Sequence, residues 1–114
     1  MILHIRDILA TARKDRRPAL SFEFFPTRTD EGERVLLEQT IPALSQLRPD
    51  FCSVTYGAGG GTREKTLAIV DRIQRRQQLP TMAHLTCVNA TRDQTQSVLQ
   101  HARDLGICNI LALR

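Results

Sequence analysis

Aromatic residues are scarce: the chain has no tryptophan, one tyrosine and four phenylalanines. That scarcity removes most of the stacking platforms on which proteins hold single-stranded nucleic acid. Glycine and proline are few as well, at six and five in 114 residues, which excludes collagen-like and low-complexity architectures. No apolar run approaches the roughly 20 residues needed to span a bilayer. The opening MILHIRDILATARKDRR mixes charge with apolar positions from its start, so it lacks the continuous apolar centre of a secretory signal. Cysteine is sparse and odd in number: Cys52, Cys87 and Cys108 lie far apart, each inside an apolar stretch. This fits reduced, buried thiols in a cytoplasmic protein better than disulfides or a metal site. His4, His84 and His101 show no ligand spacing, so no metal is expected.

The net charge is +4 and the pI about 9.5, a balance that invites a nucleic-acid partner. Small basic clusters occur only at 13–17 and 72–76, and neither is interleaved with aromatics. They read as solvated helix surface, with a mild positive field suited to polyanionic small molecules. Neither a nucleic acid nor a membrane is expected as partner.

What the chain does have is concentrated. Three of its four phenylalanines stand in SFEFF, residues 21–25, around the single carboxylate of Glu23, and Pro26 closes the run. Apolar runs at 19–25, 51–56, 81–88 and 107–113 read as strands. Between them, 31–47, 63–77 and 92–105 carry apolar residues at helical spacing, as in Leu37, Ile41, Leu44 and Leu47. A short amphipathic helix using Ile5, Ile8, Leu9 and Ala12 precedes the first strand. Asp30 with Glu33 and Thr91 with Gln94 form capping-box patterns, and Gly106 stands where a left-handed helix stop is wanted. Pro42 falls inside a helix and is expected to kink or shorten it.

The strand starts lie 32, 30 and 26 residues apart with a helix in each gap, the rhythm of βα units building a parallel sheet. The fourth strand ends the sequence at NILALR with no helix to cover it. Parallel sheets are covered on their faces, so residues 1–114 are expected to be a single incomplete domain, a truncated first half of a (βα)8 barrel of about 250 residues.

In such folds ligands gather at the carboxyl ends of the strands. Glu23 lies late in the first strand. Phenylalanines on three sides would desolvate its carboxylate, favour the protonated form and make it a proton donor near neutral pH. The alternative is a glutamate paired with an arginine of a neighbouring strand. The second strand runs into VTYGAGGGTREKT, whose glycines form a turn that is neither a dinucleotide fingerprint nor a P-loop. Tyr56 stands at its end, where a ring can flank a planar cofactor. His84 alternates with Leu85 and reads either as a satisfied core histidine or as a donor to a ligand. Arg114 ends the fourth strand, where it suits an anion or a carboxylate.

SFEFFP, SVTYGAGGGTREKT, AHLTCV and ILALR, in this order and at these separations, resemble the amino-terminal half of bacterial methylenetetrahydrofolate reductase, over Leu20 to Arg114. The resemblance implies a flavin-binding (βα)8 barrel that reduces 5,10-methylenetetrahydrofolate to 5-methyltetrahydrofolate with NADH or NADPH through FAD, feeding methionine synthesis, and a homo-oligomer when full length. Glu23 matches the general acid that protonates the bridging folate nitrogen. Thr55 matches a nicotinamide contact, and Tyr56, Ala58, His84 and Arg114 match FAD contacts. Thr27 departs from the family, which often has a second proline there, and Gly61 stands where serine is common. The family continues the arginine of LALR into Gly-Asp, beyond the present sequence. The alternative function is a non-catalytic half-barrel that only associates with another chain.

Overall fold

A computed structural model describes residues 3–56 and 63–114. The chain opens with helix α1 (Ile5–Lys14) and strand β1 (Ser21–Phe24). Helix α2 (Asp30–Val35) runs through a π-helical stretch, Leu36–Thr40, into α3 (Ile41–Ser45). Then follow β2 (Phe51–Val54), α4 (Arg63–Gln77), β3 (Thr81–Thr86), α5 (Arg92–Asp104) and β4 (Asn109–Leu113). The strands are parallel and lie in chain order, β1-β2-β3-β4, as the even spacing of the sequence predicts.

Chain order decides the architecture. Parallel crossovers are right-handed, so three successive steps in one direction set their helices on one face. A doubly wound sheet reverses direction and uses both faces. Phe24, Cys52, Val54 and Ala83 point to the helical face and join Leu36, Ile41, Leu67, Ile69, Val70, Ile73, Ala102 and Ile107 in the core. Period two sends Ser21, Glu23, Ser53, Met82, His84 and Thr86 to the other face. Register aligns Glu23 with Ser53, Ser53 with Met82, and Met82 with Asn109. The architecture is therefore α/β with a singly wound parallel sheet, the arrangement of a (βα)8 barrel's first strands.

Local signals explain the helix ends. Thr91 and Gln94 form the expected capping box on α5. On α2 the cap is one residue earlier than the sequence pattern suggests: Thr29 accepts from the Gly32 N–H at 3.0 Å, and Asp30 already lies in the first turn. There its carboxylate faces the positive end of the helix. Glycine suits residue 32, since a Cβ there would lie 2.9 Å from the capping Thr29 Oγ1 and would have to push that side chain aside. Pro42 has no N–H to donate and its ring crowds the carbonyl four residues back. The helix accommodates it by widening ahead of it, with the Ile41 N–H reaching Leu36 O five residues behind.

Two latches hold the amino-terminal end of the sheet. Arg17 forks onto Asp50 at 2.9 and 3.1 Å, and the Leu20 N–H donates to the same carboxylate at 2.8 Å. Asn109 accepts from the Ile5 N–H at 2.9 Å and donates to Leu3 O at 3.0 Å, tying the start of α1 to the start of β4. The thiols divide, contrary to the expectation that all three are buried. Cys52 is buried in the core, which pushes its thiol up to about 11, Cys108 is half-buried and Cys87 is exposed. Cys87 follows the last residue of β3, beyond the cover of the helices. Among the described residues no helix is long and apolar enough to cross a membrane.

Candidate active site

The carboxyl ends of β1, β2 and β3 bring three side chains to one point on the face opposite the crossover helices. Glu23 is the third residue of β1, and its register partner Ser53 is the third of β2. Ser53 Oγ donates to Glu23 Oε1 at 3.0 Å. From β3, His84 Nε2 lies 3.2 Å from the same oxygen. Its angles do not make that approach a hydrogen bond, and the buried nitrogen has no other partner among the described residues. Ser53 is 6% exposed and the His84 side chain 11%, whereas the Glu23 side chain is 48% exposed. Two buried polar groups thus back a carboxylate that is open on its far side.

The phenylalanines do not enclose Glu23 as the sequence suggests. Phe24 is in the core and Phe22 packs against it on the helical face, while Phe25 is 65% exposed. Alternation along the strand turns its neighbours away, and polar groups on β2 and β3 surround the carboxylate instead. No arginine pairs with Glu23 among the described residues.

Thr55 and Tyr56 follow β2 directly. The Thr55 N–H donates to Phe24 O at 2.9 Å, and Thr66 Oγ1, fully buried on α4, donates to Thr55 O at 3.0 Å. The Tyr56 hydroxyl accepts from Arg63 Nε. Arg63 also donates to Val88 O, beyond the end of β3, at 2.9 Å. Lys65 donates to Thr27 O at 3.0 Å and pairs with Glu33 at 3.2 Å. The first turn of α4 therefore fastens the segments that follow β1, β2 and β3. The sequence run TREKT contains all three fasteners, yet nothing in its composition says where they reach. Ser53 also escapes a reading of the sequence, because a serine in an apolar strand has no distinguishing signature until its neighbour is known.

Arg114 follows the end of β4 and is exposed. Ala58 and the glycines of the turn lie outside the described residues. No group of three or more His, Cys, Asp or Glu gathers into a metal site among the described residues.

Comparison with known proteins identifies the family. The family model for methylenetetrahydrofolate reductase matches residues 5–114. The 5,10-methylenetetrahydrofolate reductase of Salmonella typhimurium is 45% identical over 95 residues, covering 83% of this chain and 32% of that protein. Methylenetetrahydrofolate reductase (NADH) 1 of Zea mays is 42% identical over 103 residues, 90% of this chain and 17% of that protein. Its Arabidopsis thaliana namesake is 38% identical over 112 residues, 98% of this chain and 19% of that protein. The chain thus spans about a third of the length of the bacterial relative and under a fifth of the plant ones. With the match running from α1 to the end of β4, across every strand that carries the site, the chain belongs to the methylenetetrahydrofolate reductase family.

Proposed function

We propose that this chain forms the first four βα units of a flavin-dependent barrel reductase, and that Glu23 is its general acid toward 5,10-methylenetetrahydrofolate. The observation that carries the reading is the Glu23 carboxylate itself. It stands at the carboxyl end of the sheet, on the face opposite the crossover helices, backed by Ser53 and His84 and open on the other side.

Methylenetetrahydrofolate carries a one-carbon bridge between two nitrogens. Protonation of the bridging nitrogen by Glu23 breaks one carbon–nitrogen bond and leaves an iminium at the other, and addition of a hydride to that carbon gives the methyl group. Glu23 ends the step as a carboxylate, which the Ser53 hydroxyl stabilises by donation. A bound flavin would supply the hydride, with NADH or NADPH as its source; the protein positions it and supplies the proton. The residues present suit such a group. His84 Nε2 is a buried polar atom without a hydrogen bond among the described residues, 3.2 Å from Glu23 Oε1, a group for which a ligand at this end of the sheet would supply a partner. Arg114 offers a cation for a phosphate after the end of β4, and Thr55 and Tyr56 follow the end of β2, on the other side of β3. The product supplies methyl groups for methionine, in the cytoplasm, and the whole protein is a homo-oligomer.

The test is Glu23→Gln in the natural protein carrying this chain. Folate reduction falls by about 10²-fold or more, the usual contribution of a general acid, while flavin reduction by the nicotinamide nucleotide stays within about twofold, since that half-reaction needs no proton from Glu23. Stopped-flow measurement of each half-reaction decides; equal losses in both remove the general-acid role.

A further inference from the structure

Resting on the role given to Glu23, we propose that Ser53 is a positioning residue that fixes which carboxyl oxygen of Glu23 carries the proton. Ser53 is buried, and its Oγ makes one hydrogen bond among the described residues, to Glu23 Oε1 at 3.0 Å. A buried hydroxyl without an acceptor is costly, and the register of β1 on β2 puts Glu23 directly opposite it.

The chemistry of the acid form follows. A protonated carboxyl has one carbonyl oxygen, which only accepts, and one hydroxyl oxygen, which donates. The Ser53 O–H directed at Oε1 makes Oε1 the carbonyl oxygen, so the proton sits on Oε2. The approach of His84 Nε2 to within 3.2 Å of Oε1 closes that oxygen further. Oε2 has no partner among the described residues, so the proton faces the open side of the site. Rotation of the carboxyl by half a turn would bury the proton against the sheet, where no substrate reaches it. Ser53 opposes that rotation.

Infrared difference spectra between acid and neutral pH, recorded on the natural protein carrying this chain with and without Glu23→Gln, isolate the C=O stretch of protonated Glu23. In Ser53→Ala this band moves to higher frequency because the carbonyl oxygen has lost its donor. In Ser53→Thr, which keeps the hydroxyl, it stays in place. Should the alanine variant not fold, Ser53→Cys is close in size and donates only weakly, and it gives the same upward displacement. In the natural protein Ser53→Ala slows folate reduction about tenfold, the loss of one hydrogen bond to a charged group. It leaves flavin reduction and folate affinity unchanged, and Ser53→Thr restores the rate. A band that does not move in the alanine or cysteine variant overturns the assignment, as does an equal loss in both half-reactions that threonine fails to rescue. Failure of the underlying reading is distinguishable: folate reduction then survives Glu23→Gln, and the catalytic part of the proposal falls whatever the spectra show.

Discussion

Asp50 gathers the Arg17 fork and the Leu20 N–H at the amino-terminal edge of β2. The hydrogen bonds from Arg17, and after them the one from Leu20, hold its carboxyl below the usual carboxylate range. A lowered folded value means the stabilisation is complete above the unfolded value of about 4 and is lost as pH falls through the lower folded one. Asp50→Asn is therefore less stable than the parent at neutral pH, by an amount that shrinks as the solution is acidified. Urea midpoints of both proteins along the acid limb measure this, and a constant difference would remove the ion pair as its source. At this scale the sequence is uneven. Glu23 stands out because a carboxylate in an apolar strand needs a reason. Ser53 does not, since its meaning lies in a partner 30 residues away. The dry setting inferred from SFEFF fails because adjacent residues in a strand face opposite ways.

Helix ends show which signals are local enough to read. Gly106, at φ 73°, closes α5 with the Gly106 N–H on Arg103 O and the Ile107 N–H on Ala102 O, a Schellman stop that glycine announces in the sequence. Arg16 (φ 54°), Arg48 (φ 52°) and Gln78 (φ 55°) adopt the same left-handed conformation without glycine, and nothing in their side chains foretells it. Each carries the steric strain of a Cβ in that region. Arg48 is exposed and its side chain makes no hydrogen bond among the described residues, so Arg48→Gly is expected to stabilise the fold by about 1 kcal/mol. Gly106→Ala is expected to cost about as much. Equilibrium urea unfolding checks both, and a loss on Arg48→Gly would show that chain entropy outweighs the relief of strain. Pro42 lies between these cases. The sequence says that a helix cannot pass it unchanged, but whether it kinks, stops or widens depends on what packs beside it, here Leu36 and Ile41 in the core.

The whole sheet was the most legible feature, because the spacing of apolar runs, the period of the helices and the turn residues all point to repeated βα units. Strand order was legible only through that repetition, and the convergence of Glu23, Ser53 and His84 only through the resulting register. Chain order has a further consequence, for the speed and direction of folding. Every strand pairs only with its neighbours in the chain order, so sheet growth closes one loop of modest length at a time. Each βα unit can join its predecessor as the polypeptide leaves the ribosome. The Asn109 latch is the exception: its bonds to Ile5 and Leu3 span 104 and 106 residues, the longest loops closed by hydrogen bonds among the described residues. Contacts that close such long loops are expected to form after the barrier is crossed, so that their loss shows in the unfolding limb of a chevron. Asn109→Ala is expected to unfold faster and refold at the parent rate, with α1 released first. Stopped-flow refolding slowed as much as unfolding is hastened would instead put the meeting of the two ends inside the nucleus.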